Sequence, residues 1–138
     1  MTKTGNIEQT PLEVVKAFFA AMSTLDYDTA LSYVSDSCEY DNKPMPDARV
    51  FGPAGIRAAL EPFFAPTIEN EFIILHEAAS GPVVFIERLD RHRLSQGWFE
   101  LPVIGIFEVH DGHITLWRDY FDLSTIAPML AAAGLVPQ

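Results

Sequence analysis

Near the start of the chain, apolar residues recur at three- and four-residue intervals: Leu12, Val15, Phe18, Phe19 and Met22. That spacing puts them on one face of a helix. Thr10, Pro11 and Glu13 are suited to its first turn, with Thr10 as cap, Pro11 at the first helical position and Glu13 completing a capping box. Residues 1–9 are polar and are expected to form a short flexible tail. A shorter helix is expected from about Tyr27 to Val34, with Ala30, Leu31 and Val34 turned inward. Ser37 to Asn42 reads as a strand, ended by Lys43-Pro44-Met45-Pro46-Asp47, because two prolines cannot continue a ladder. A third helix starts near Gly52-Pro53, carries Ile56, Leu60, Phe63 and Phe64, and stops before Pro66.

The second half changes period. Glu69–Glu77, Val83–Arg91, Trp98–His110 and His113–Asp122 read as strands. Gly81-Pro82, Ser95-Gln96-Gly97 and Asp111-Gly112 separate them, and Asp111-Gly112 is a strong hairpin signal because both residues tolerate positive φ. A final helix is expected from Ser124 to Ala133, ending at Gly134. Helices followed by a meander define an α+β fold, with helices on one face of a curved sheet and room for a pocket between them.

Composition narrows the functions. A chain of 138 residues is expected to form one domain, over residues 1–138. Nineteen acidic against 9 basic residues give a net charge of −10, which disfavours nucleic acid and anionic membranes as partners. Cys38 is the single cysteine, so no internal disulfide or cysteine-based zinc cluster can form. No run of apolar residues is long enough for a membrane span, and a cytoplasmic protein is expected. His110 and His113 flank a hairpin tip and make a poor metal pair.

Strand parity locates the candidate chemistry. Residues i and i+2 share a face. Tyr40 and Asn42 form one such pair. Val84, Ile86, Arg88 and Asp90 share a face that begins apolar and ends ionic, and Thr115, Trp117, Asp119 and Phe121 set an acid between two aromatics. If these faces converge, two carboxyls and one guanidinium meet at the floor of an apolar pocket. Two acids so placed resist double ionisation, so one can stay protonated as an acid while the other acts as a base. Tyr40 and Asn42 could hold a water for that base. Such a set is suited to opening a neutral strained ring with water. The plainer alternative is that Arg88 and Asp90 form a surface ion pair and that Trp117 and Phe121 are core.

Tyr40-Asp41-Asn42, Glu87-Arg88-Leu89-Asp90 and Trp117-Arg118-Asp119-Tyr120-Phe121-Asp122, the last preceded by a Gly-x-Phe strand and a glycine turn, occur here in order. Together they resemble the limonene-1,2-epoxide hydrolase family, over roughly Pro11 to Ala127. The resemblance implies the NTF2-like or SnoaL-like cone: a curved, mixed, mostly antiparallel sheet with helices on its concave side enclosing an apolar pocket. It implies Asp90 as general acid, Asp119 as base, Arg88 between them, and Tyr40 and Asn42 as water holders. It further implies a pocket wall of Phe63, Leu101, Val103, Phe121 and Ile126, a small apolar epoxide and water as reactants, no cofactor or metal, and a homodimer. Pro102 between two wall residues, the extra acid Asp41 and a longer loop from Lys43 to Phe51 depart from the pattern. A ketosteroid-isomerase-type or SnoaL-type isomerase or cyclase, and a non-catalytic ligand-binding or dimerisation module, are the alternatives.

Overall fold

The computed structural model describes residues 9–135. Most of the expected tail therefore lies outside the described residues. The elements run α1 (Pro11–Ser23), α2 (Tyr27–Leu31), β1 (Val34–Asn42), β2 (Val50–Phe51), α3 (Gly52–Phe64), β3 (Glu69–Ser80), β4 (Val83–Leu94), β5 (Gly97–His110), β6 (His113–Tyr120) and α4 (Leu123–Ala132).

Helix α1 starts as its sequence predicts. The Glu13 amide donates to Thr10 Oγ1 at 3.2 Å and the Thr10 amide donates to the Glu13 carboxylate at 2.8 Å, satisfying two otherwise orphaned N–H groups. Such a cap contributes about 1 kcal/mol. Val15, Phe18, Phe19 and Met22 are buried against the sheet. Each large side chain so enclosed contributes about 1.5–3 kcal/mol.

The six strands form one sheet in the order β2-β1-β6-β5-β4-β3. All neighbours are antiparallel except β1 and β6, which run parallel. The sheet is therefore mixed and mostly antiparallel. Alternation along β4 is regular, with Val84, Ile86, Arg88, Asp90, His92 and Leu94 buried and the residues between them more exposed. The inward face meets the helices in two apolar clusters. The larger gathers α1, α3, β1 and the middle of the sheet around Phe18, Trp117 and Phe107. The smaller joins Leu101 and Val103 of β5 to Ile126, Met129 and Leu130 of α4.

Two local expectations need correction. Val34 begins β1 instead of closing α2, and β1 starts there rather than at Ser37. A buried valine satisfies either period, and the pairing of Val34 with Ile114 on β6 decides for the strand. The loop after the prolines contains a short strand, β2, which pairs Val50 with Tyr40. As expected, β5 runs unbroken through Pro102. The proline pairs in register with Leu89, beyond the last β5–β6 pair at Ile104 and Tyr120, so that flank has no strand partner to lose.

Candidate active site

Three strands, β1, β4 and β6, deliver the polar residues to one spot. The β1–β6 register sets Asn42 beside Asp119 and Tyr40 beside Trp117. The β5–β6 register sets Asp119 beside Gly105, and the β4–β5 register sets Arg88 and Asp90 beside Val103 and Leu101. Asn42 is half-buried, while Tyr40, Arg88, Asp90 and Asp119 are each no more than 5% exposed. Buried charges on this scale persist only when paired and hydrogen-bonded.

Arg88 provides the pairing. Its Nε donates to Asp90 Oδ1 at 2.8 Å. Its two terminal nitrogens grip Asp119 in a fork, Nη1 to Oδ1 at 3.1 Å and Nη2 to Oδ2 at 2.7 Å. A planar guanidinium can do this where an ammonium cannot. The Phe19 ring lies 4.6 Å from the guanidinium carbon and supplies a cation–π face. Burial alone would lower the pKa of Arg88, but Asp119 and Asp90 outweigh it and hold the group charged.

The two acids are not equivalent. Asp90 receives one hydrogen bond from Arg88, whereas Asp119 receives three, the third from Trp117 Nε1 at 2.8 Å. Burial pushes the Asp90 carboxyl up to about 6, against the opposing pull of Arg88 and with a further upward push from Asp119. A carboxyl near that value can donate a proton close to neutral pH. The Tyr40 hydroxyl meets the Asn42 side-chain amide, which donates to it from Nδ2 at 3.0 Å and can accept its proton at Oδ1 at 3.2 Å. Burial and then Asp119 push the Tyr40 pKa upward, so the phenol remains neutral. Its ring stacks on Trp117 with centroids 3.8 Å apart.

Above this cluster lies a cavity of about 290 Å³. Phe63, Leu101, Val103, Phe121 and Ile126 all line it, as do the five polar residues. All ten predicted site residues thus meet in one cavity. Asp41 points away, pairing with Lys43 at 3.2 Å. Cys38 is buried in the core outside the cavity lining, and burial raises its thiol to about 12. His110 and His113 are exposed at the hairpin tip.

Sequence reading missed three contributors. Trp117 reads as core, yet its N–H binds Asp119; its i, i+2 relation to that acid was the available signal. Gly105 reads as an ordinary strand residue, yet a Cβ there would stand 2.7 Å from Arg88 Nη1 and 3.0 Å from Asp119 Oδ1. Glycine inside a strand often marks such a close approach. His92 continues the Arg88, Asp90 face and also lines the cavity.

Comparison with known proteins agrees with this geometry. Residues 9–131 match the family model for the limonene-1,2-epoxide hydrolase catalytic domain. Epoxide hydrolase EphG of Mycobacterium tuberculosis is 36% identical over 110 residues, covering 79% of this chain and 71% of that protein. The solved structure of an M. tuberculosis LEH-like epoxide hydrolase superposes with a TM-score of 0.73 at 30% identity, over 91% of this chain and 92% of the other. A protein described as a SnoaL-like polyketide cyclase, from Shewanella denitrificans, superposes with a TM-score of 0.76 at 20% identity, over 88% and 97% of the two chains, and shares the fold. With the motif residues gathered in one apolar cavity and the family model spanning nearly all described residues, this chain belongs to the limonene-1,2-epoxide hydrolase family, on an NTF2-like, SnoaL-like fold.

Proposed function

We propose that this protein is a cofactor-independent epoxide hydrolase that adds water to a small apolar epoxide in one step, giving a vicinal diol. The observation that carries this reading is the single guanidinium hydrogen-bonded to both Asp90 and Asp119 at the floor of an apolar cavity. Asp119 is the base. Its carboxylate, with Tyr40 and Asn42, holds the attacking water. As the water oxygen bonds to a ring carbon, its proton passes to Asp119. The carbon–oxygen bond of the ring breaks, and the departing oxygen takes the proton of Asp90. Exchange with solvent then returns each acid to its starting state. Arg88 fixes the two carboxyls and balances the single negative charge they share. The apolar wall selects a substrate without charge, and the cavity is at the small end of the roughly 300–1,000 Å³ range of ligand sites.

An isomerase or cyclase would also use an acid and a base, but it moves protons beside a carbonyl and gains little from a guanidinium joining two acids. Single turnover in heavy-oxygen water separates the readings. The proposal expects one labelled oxygen in the diol and none in the protein's carboxylates. Label in Asp90 or Asp119 would replace one-step hydrolysis with a covalent ester. Asp90→Asn and Asp119→Asn should each slow diol formation by about 10²–10⁴ while retaining a cooperative melt. Wild-type rates in either variant would overturn the assignment.

A homodimer and a cytoplasmic setting belong to the same reading. Ile73, Phe85, Ile104 and Tyr120 are large apolar side chains left exposed on β3 to β6. A patch of this kind on a small domain is suited to a second copy. A lone buried thiol is consistent with a reducing compartment.

A further inference from the structure

The inward face of β4 does not end at the acid. Arg88, Asp90 and His92 follow one another at i, i+2 and i+4, and all three line the cavity. Strand rise sets the Cα atoms of Asp90 and His92 about 7 Å apart. His92 is 2% exposed, and the rings of Phe64, Phe72 and Phe63 stand 5.2, 5.8 and 6.1 Å from its own. An imidazole in such surroundings needs a reason.

A chain of hydrogen bonds fixes its tautomer. The Thr67 hydroxyl donates to the Phe64 carbonyl at 2.7 Å, so its oxygen is the acceptor for Asn70 Nδ2 at 3.0 Å. Asn70, paired with His92 across β3 and β4, is thereby turned with Oδ1 toward the ring. His92 Nδ1 lies 2.7 Å from that oxygen and must carry the proton. Burial, and then the charge of Arg88, lower the ring's pKa to about 4, so it is neutral. Nε2 is left with a bare lone pair and has no hydrogen-bond partner among the described residues. Nε2 is not sealed off, since the buried side-chain polar atoms without a partner among the described residues are Ser35 Oγ and Arg118 Nε. A donor in the cavity can reach it, and a site built to accept that hydrogen bond rejects an analogue lacking the donor. The nearby guanidinium disfavours an ammonium donor, which leaves a neutral one, of which a hydroxyl is the smallest that an apolar cavity of this size admits.

We propose that His92 Nε2 is a specificity-determining acceptor, and that the preferred substrate is an epoxide carrying a hydroxyl-bearing arm roughly one ring's width from the oxirane. The epoxide part rests on the function proposed above; the acceptor does not.

Two isosteric probes test it: cyclohexene oxide bearing a hydroxymethyl arm opposite the oxirane, and the same ring bearing an ethyl arm. In the wild type, kcat/KM for the hydroxymethyl compound should exceed that for the ethyl compound by about tenfold or more. His92→Leu should bring the ratio to about one or below. His92→Gln should restore it, because its amide can donate to Asn70 while its carbonyl faces the cavity. A merely structural His92 would lower both rates and leave the ratio unmoved, which overturns the proposal, as does a wild-type ratio near one. Calorimetric binding of the two diol products to the wild type reads the same preference without any variant or turnover. Preference among the diols with no opening of either epoxide would sustain the acceptor and overturn the hydrolase reading. Opening of both epoxides without preference would do the reverse.

Discussion

The guanidinium of Arg88 crosses β5 over Gly105, so closely that a Cβ at that position would lie 2.7 Å from Nη1. Arg88 on β4 reaches Asp119 on β6 only because the intervening strand presents no side chain there. The guanidinium cannot swing aside, since both carboxyls hold it. Gly105→Ala should therefore lower kcat/KM by about 10² or more by parting Arg88 from Asp119. It should cost about 1–3 kcal/mol of stability through overpacking. Steady-state kinetics and a denaturant melt on the same sample check both outcomes.

Asp90 links activity and stability through one proton. Its carboxyl sits at about 6 in the folded chain, above the ordinary 3.8. The folded state thus binds the proton more tightly than the unfolded state does. The stability this group contributes is full below about pH 4 and is lost as pH rises through about 6. As general acid, Asp90 must also be protonated, so kcat/KM should fall as pH rises above about 6. An apolar substrate deepens the burial of the acid, so the limb in kcat should lie at higher pH than the limb in kcat/KM. Paired pH profiles of rate and melting temperature, with Asp90→Asn flattening its share of the second, decide the matter.

Trp117 holds the base with its indole N–H at 2.8 Å while its ring supports Tyr40. Trp117→Phe keeps most of the packing and removes the donor. A hydrogen bond to a charged group contributes about 1.5–3 kcal/mol. The expected result is a kcat about tenfold lower with KM for an apolar epoxide little changed. A matching rise in KM would assign the indole to substrate binding instead.

Ile104 faces outward from β5, in register with Tyr120 on β6, and both are more than 40% exposed. Ile104→Glu places a charge in the middle of the proposed dimer face. Light scattering should give twice the chain mass for the wild type and the chain mass for the variant. A wild-type monomer at micromolar concentration would refute the dimer.

Side-chain parity made half of this site readable before any coordinates. Arg88 with Asp90, and Tyr40 with Asn42, share faces by the two-residue period of a strand, and Trp117 with Phe121 flank Asp119 by the same rule. Their union depends on register, which the local pattern does not encode. Nothing near Arg88 in sequence shows that it clears Gly105 to reach a residue 31 positions away. Asn70 was missed for the same reason, since its partner His92 lies 22 positions away, and His92 itself because the expected strand stops at Arg91 whereas β4 runs on to Leu94. Val34 failed on a different ground: one buried valine fits a helix end as well as a strand start, and only its neighbour Ile114 separates the two.

Strand β6 stops at Tyr120, while β4 and β5 stay paired as far as Leu94 and Gly97. Helix α4 packs against Leu101 and Val103 in the stretch of β5 that β6 leaves uncovered. The proton-handling groups consequently all sit on hydrogen-bonded strands, while Ile126 and Leu130 bring one part of the cavity wall from a short helix outside the ladder. Exchanging Ile126 or Leu130 for bulkier or smaller neighbours reshapes what can enter without disturbing the ladder that aligns the acids. This division lets a lineage explore new substrates while its chemistry stays intact.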